Sequence, residues 1–147
     1  MDLNSEGSNP SSPIIYHSPY AYLIAHINLA FKSNKRIHRI LCTKKILKLV
    51  KVLQQQGCLT YLLLNQSNVT KRYLLFTPYY YRQTTFFKYI RLISTISKKF
   101  TISFRALVVI SKSLKNSLLL LETSKGIVTH KEALKLHIGG FLLCILS

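Results

Sequence analysis

The chain has 147 residues, with 21 Lys and Arg against 4 Asp and Glu, a formal charge of +17. That length supports one domain or two small ones around a modest core, and a 48% hydrophobic content excludes disorder throughout. The apolar runs, such as 118–121 and 141–146, fall far short of the ~18–20 residues of a membrane-spanning helix. Five glycines and three cysteines exclude collagen-like and disulfide-scaffold classes.

The charge is unevenly placed. The acids are Asp2, Glu6, Glu122 and Glu132, and no Lys or Arg precedes Lys32, so residues 32–147 hold 21 bases and 2 acids. A folded body with that balance repels itself unless a polyanion lies beside it, and nucleic acid is the commonest polyanion. A solvated face normally mixes both signs, so nucleic acid outweighs mere solubility, with an anionic membrane surface as the alternative. The first 31 residues carry two acids and no Lys or Arg, unlike a basic, acid-poor import signal. The rest is rich in Ile, Leu, Lys, Phe, Tyr, Asn and Ser, the mix that an AT-rich genome encodes. The expectation is an organelle-encoded protein. Cys42, Cys58 and Cys144 are odd in number and form no CxxC pair, so they read as small buried apolar residues.

In chain order, residues 1–17 read as a polar tail with an apolar patch at 14–16. Ser18 is placed to cap a helix with Pro19 in its first position. Tyr20, Leu23, Ile24, Ile27 and Phe31 recur at helical spacing and make its apolar face. His26 lies off that stripe, beside Asn28. A basic connector over 32–38 leads to a short strand, 39–42. Thr43 is the N-cap of a second helix, 44–56, whose buried stripe is Ile46, Leu49, Val50 and Leu53, with its lysines pointing elsewhere. Gly57 ends it. A buried strand over 58–64, a turn over 65–68 and a returning strand over 69–77 follow. Residues 78–83 hold Tyr79, Tyr80, Tyr81 and Arg82. Base stacking uses such a composition, but these residues read as a surface loop whose tyrosines pack on the fold.

The second half reads as a strand at 86–93, a polar basic link at 94–99, a strand at 100–104 and a short helix at 105–110 capped by Ser103. A strand at 117–121 comes next. Thr129-His130-Lys131-Glu132 is a capping box that opens a helix at 131–136. Gly139-Gly140 breaks this helix, and 141–146 closes the chain as a buried strand. The fold class is therefore α+β, in two small subdomains. Residues 18–83 run helix-strand-helix-strand-strand, and residues 84–147 are mostly β with a short helix.

Catalysis finds little support. Asp2 and Glu6 lie in the tail, Glu132 has a capping role, and neither a GxSxG nor a P-loop occurs. The histidines at 17, 26, 38, 130 and 137 show no metal-ligand spacing and read as RNA-facing or surface groups. No enzyme, cofactor, metal or small-molecule substrate is expected.

Residues 119–133 contain Thr123-Ser124-Lys125-Gly126-Ile127 and Thr129-His130-Lys131-Glu132-Ala133, followed by Gly139-Gly140 and an apolar strand through Cys144. This order resembles the C-terminal signature of the ribosomal protein S eight family, in which a Ser-Thr-Ser-x-Gly loop precedes a Glu-Ala helix and a Gly-Gly strand. Ser18-Pro19 through Ile27-Asn28 is similar to the family's first helix. Thr43-Lys44 stands where a Ser-Lys pair opens the second, and Val52-Leu53 with Gly57 closes it. Leu92-Ile93-Ser94 and Lys98-Lys99 fit more loosely. The resemblance covers 18–146 and is weakest over 65–88. Glu122 replaces the first serine of the loop, Ile96-Ser97 a usual Pro-Gly, Ser117 a glycine and Phe141 a usual glutamate after Gly-Gly. Tyr22 and His26 replace polar or basic residues. These departures mark a divergent member, as expected of a mitochondrial ribosome more than of a plastid one.

The resemblance implies a two-part α+β protein of the small subunit. Such a protein grips a helical segment of the central rRNA domain, mainly through its C-terminal part, and supports subunit assembly and translation. It also touches neighbouring ribosomal proteins, protein S five among them. Carried onto this sequence, the RNA-binding residues are Thr123, Ser124, Lys125 and Gly126, Thr43 and Lys44, His26 and Asn28, and Lys98 and Lys99. Short hydroxyls suit a 2′-OH or a base edge, Gly126 lets backbone approach backbone, and free N–H groups at Thr43-Lys44 suit a phosphate. The competing reading of 123–126 is an ordinary hairpin turn, and Glu122 either points away or pairs with a base of its own fold. The competing reading of the chain is a basic peripheral membrane or regulatory protein with no RNA partner.

Overall fold

The first helix, α1, spans Pro19–Lys32 in a computed structural model that describes residues 18–33, 36–64, 72–82, 84–85, 87–95 and 97–147. The expected tail 1–17, turn 65–68 and the strand residues 69–71 and 86 lie outside these. Proline at the first position and Lys32 in the last turn both favour a helix here. Ser18 occupies the cap position, but its hydroxyl makes no capping bond; its carbonyl accepts from the Tyr22 N–H at 3.1 Å. The expected side-chain cap is thus replaced by the ordinary backbone ladder. Leu23, Ile24, Ile27 and Ala30 are buried, while Tyr20 and Phe31, expected on the same stripe, pack at its margin.

Strand β1 (His38–Cys42) leads to α2 (Lys44–Gln55). The Thr43 hydroxyl accepts from the Ile46 N–H at 3.3 Å and starts this helix as expected. Ile46, Leu49, Val50 and Leu53 are all fully buried, and Lys44, Lys45, Lys48 and Lys51 are exposed. Strands β2 (Leu59–Leu64) and β3 (Arg72–Pro78) complete an antiparallel sheet in the order β1-β3-β2. Helices α1 and α2 pack on the face that presents Ile40, Leu59, Leu74 and Phe76. The tyrosine segment forms a small hairpin, β4 (Tyr80–Tyr81) with β5 (Thr84–Thr85), not a plain loop. Arg82 turns it at φ 51°.

The second sheet comprises β6 (Ile90–Leu92), β7 (Thr101–Ile102), β8 (Leu118–Thr123), β9 (Gly126–Thr129) and β10 (Gly140–Leu146). Its order is β9-β8-β10-β6, all antiparallel, with β7 paired to the start of β10. Two helices lie on it, α3 (Phe104–Ser111) and α4 (His130–Leu136). The strand expected over 100–104 stops at Ile102 because the Ser103 hydroxyl accepts from the Ala106 N–H at 3.3 Å and starts α3. Strand β9 was not anticipated: its four residues lie between a turn and a helix cap, too few to show an alternation.

The run Leu118–Leu121 is buried throughout because this sheet is covered on both faces. Leu118 and Leu120 join the core formed with α1 and α2; Leu119 and Leu121 join a second core with Leu107 of α3 and Ala133 of α4. In β10 the register shifts between Leu142 and Cys144. This bulge turns two consecutive residues, Leu143 and Cys144, to the first core, while Leu142 and Ile145 meet the second. The first core therefore unites Leu23, Leu53 and Phe76 from the N-terminal half with Ile90, Cys144 and Leu146 from the C-terminal half.

Helix α4 shows two departures from expectation. Only the threonine half of the capping box forms: the Thr129 hydroxyl accepts from the Glu132 N–H at 3.2 Å. His137, at φ 55°, ends the helix, not the glycine pair. Gly139-Gly140 has a different cause. A Cβ at 139 would strike the Ile102 carbonyl, and one at 140 would lie 2.6 Å from the Glu122 carbonyl oxygen. The pair lets β10 pass closely between β7 and β8.

Candidate nucleic-acid interface

The signature residues form the tip of the β8–β9 hairpin. Thr123 pairs with Gly126, leaving Ser124 and Lys125 as a two-residue turn. Gly126 carries the positive φ, +100°, that a side chain would oppose. A Cβ there would meet nothing within 4 Å, so in the free chain the glycine serves the turn and not a close approach. The Thr123 hydroxyl accepts from the Lys125 N–H at 3.1 Å and donates to the Gly126 carbonyl at 2.9 Å. Its donor is thus spent inside the turn. Ser124 and Lys125 are exposed, and their side chains make no hydrogen bond or ion pair among the described residues. They are the groups of this hairpin that remain available to another molecule.

Helix α2 packs beside β9. The Thr43 hydroxyl is used by the cap, whereas Lys44 and Lys45 stand exposed in the first turn, with Lys48 and Lys51 one and two turns on. The loop before β7 brings a third set of cations. Thr95 orders it: its N–H donates to the Lys98 carbonyl at 2.9 Å and its hydroxyl accepts from the Lys98 N–H at 3.2 Å. The Lys98 ammonium lies 5.4 Å from the centre of the Phe100 ring, and that of Lys99 5.4 Å from the centre of Phe141. Both rings are substantially exposed. A cavity of about 320 Å³ lies between the starts of α1 and α2, the loop before β7 and the second sheet, with Tyr20, Lys45, Leu92, Lys99, Glu122 and Phe141 among its walls.

Glu122 neither points away nor pairs with a base. Its Oε2 accepts from the Tyr20 hydroxyl at 2.9 Å, which ties α1 to the strand that ends in the hairpin. Burial first, then this bond and the carboxylate charge, holds the proton on Tyr20 far more tightly than usual. Glu122 faces Phe141 directly across β8 and β10. Glu122 and Phe141 thus occupy one cross-strand pair. No sequence signal could reveal that pairing without the register. Lys45, Tyr20 and Phe141 were missed for the same reason: they are brought together only by tertiary packing.

The Asn28 amide is occupied. Its Nδ2 donates to the Ile90 carbonyl and its Oδ1 accepts from the Ile90 N–H, both at 2.8 Å. It closes the gap between α1 and β6 as a strand would. His26 packs edge-on against Tyr22, with ring centres 4.6 Å apart. Burial, with His38 nearby, holds its imidazole below the usual histidine range. His130, expected at the surface or on RNA, is buried, and its Nδ1 accepts from the Leu119 N–H at 3.2 Å. Burial and the adjacent Lys131 lower its affinity for a proton. Among the described residues no group of His, Cys, Asp and Glu could hold a metal ion, and no helix is long and apolar enough to cross a membrane.

The family model described as Ribosomal protein S8 matches residues 18–146. No curated protein matches the chain.

Proposed function

The chain belongs to the ribosomal protein S8 family, a small-subunit ribosomal protein family that binds rRNA, and from that premise we propose that it grips a helical segment of the central rRNA domain through the β8–β9 hairpin. The observation that carries this reading is the exposed, unbonded Ser124-Lys125 tip on the strand whose Glu122 lines one cavity with Lys45 of α2 and Lys99. The tip offers a hydroxyl for 2′-OH or base-edge contact, and the lysines offer phosphate contacts. Thr123 and Gly126 shape the tip. Thr43 aims the first turn of α2, Lys44 meets the backbone, and Lys98 and Lys99 hold the RNA from the loop before β7. His26 and Asn28 act here through the placement of α1.

The role is structural: the protein supports assembly of the subunit and so translation. Its setting in this reading is a mitochondrial ribosome, supported by the composition of an AT-rich gene and by the departures at Glu122 and Phe141. Neighbouring small-subunit proteins are its further partners, protein S five among them. Sucrose-gradient fractionation of the organelle tests the assignment. Co-sedimentation with small-subunit rRNA is the expected result; retention in salt-washed membranes would overturn it in favour of a peripheral membrane protein.

A further inference from the structure

We propose that the outer face of the first sheet, opposite α1 and α2, docks an acidic, amphipathic segment of another protein. Side chains alternate across a strand. Ile40, Leu59, Leu74 and Phe76 face the helices, so Arg39, Leu41, Leu62, Leu64, Tyr73 and Leu75 lie on the other side. The register sets them in two rows across all three strands, Arg39-Leu75-Leu62 and Leu41-Tyr73-Leu64. The second sheet is covered on both faces. Among the described residues, the helices that contact the first sheet lie on one face alone. Leu62, in the middle of an edge strand, is 62% exposed.

Charge selects the occupant. The Arg39 guanidinium lies 4.0 Å from the centre of the Tyr73 ring, and Arg72 stands exposed at the start of β3. Neither forms an ion pair among the described residues. The two acids of the folded body lie elsewhere: Glu122 bonds to Tyr20, and Glu132 sits in the first turn of α4. A second copy of the chain, formally +17, would bring repulsion in place of carboxylates. RNA fits poorly as well. The four leucines offer nothing to a phosphate or a base edge, β2 has no charged residue, and the one ring, Tyr73, already carries Arg39. A protein segment with an apolar stripe flanked by Asp or Glu matches both the leucines and the guanidinium groups. The inference rests on the rRNA-binding reading for its setting alone: the partner is a neighbour in the small subunit.

The test uses the protein in place. Small subunits are purified with Leu62 replaced by the photoreactive p-benzoylphenylalanine and irradiated, and the adducts are identified by mass spectrometry. The expected adduct joins position 62 to a peptide of another protein that carries Asp or Glu beside its apolar contact. An adduct on rRNA, on a peptide without acids or within the chain itself would overturn the inference, and so would no adduct at all. Two variants give a second readout. Leu62→Asp and Arg39→Glu change exposed positions, so Tm and affinity for a central-domain rRNA fragment should be little changed. In competition with the wild-type protein for assembly into subunits, each should lose by about tenfold, because docking would bury a carboxylate without a cation. Incorporation equal to wild type would overturn the inference. If the wild-type protein is absent from small subunits altogether, the rRNA-binding reading itself fails, a separate outcome.

Discussion

Replacing Asn28 by alanine should destabilise the protein without touching its RNA-facing surface. Asn28 makes two hydrogen bonds of 2.8 Å to the backbone of Ile90, a residue only 1% exposed. The alanine leaves a buried N–H and a buried carbonyl with no partner. Each such group costs about 1–3 kcal/mol, while each lost bond was worth only about 1 kcal/mol net in the native balance. The expected loss is about 2–4 kcal/mol. For a chain of this size a kcal/mol lowers Tm by about 2–4 °C, so Tm should fall by about 5–15 °C. Thermal unfolding followed by far-ultraviolet circular dichroism measures the loss. Filter binding at a temperature where the variant remains folded measures RNA affinity. Unchanged Tm together with weakened cognate binding would refute the clamp and return Asn28 to the RNA-contacting set.

Four further outcomes follow from the packing. Leu53→Ala empties a fully buried position and should cost about 2–5 kcal/mol in urea unfolding; a change near zero would mean that α2 is misplaced. Because the first core draws on both halves of the chain, unfolding should show one transition by calorimetry and by fluorescence, and two separate transitions would contradict a shared core. Burial holds His130 and His26 below the ordinary histidine range, so the unfolded chain binds protons more readily. Stability should be full above the unfolded histidine value, about 6.5, and fall as pH drops below it. A Tm that rises on acidification from pH 7.5 to 5.5 would contradict this sign. Burial pushes the thiols of Cys58 and Cys144 up to about 12, so iodoacetamide should modify half-buried Cys42 first and the other two only on unfolding.

The helices and the caps at Thr43 and Ser103 were legible because their causes are local, whereas the Ser18 side-chain cap and the glutamate half of the Thr129 capping box do not form. The α2 stripe, Thr43 and Ser103 each act within one turn of chain. Features decided by distant partners were not. The apolar run marked 117–121 as a strand, but only the sheet shows that alternate leucines serve two cores. Among the described residues of the strand expected over 86–93, only Ile90–Leu92 are regular; Tyr89 exchanges bonds with Ser147, but the Lys88 N–H shares the same Ser147 carbonyl and breaks the ladder there. The exposure of the Ser124-Lys125 tip was legible in its polar turn composition. The bonds that occupy the Asn28 amide were not, because they reach a residue 62 positions away. Glu122 drew attention as an acid in a basic stretch, but its bond to Tyr20 spans 102 positions and no motif encodes it.

Whether the hairpin tip reads rRNA is decided by comparing Ser124→Ala with Lys125→Ala. Both side chains are exposed and unbonded in the free protein, so neither change should shift Tm. Affinities are measured across a salt series, on a central-domain rRNA fragment and on an unrelated duplex. Lys125→Ala should weaken both complexes and reduce the salt slope by about one phosphate contact, roughly 0.7–0.9. Ser124→Ala should weaken cognate binding alone, by roughly 1–3 kcal/mol, because RNA groups lose a partner in a buried contact. Intact cognate affinity in Ser124→Ala, or a lowered Tm with affinity unchanged, would show that the signature is a folding turn and that the rRNA is held elsewhere.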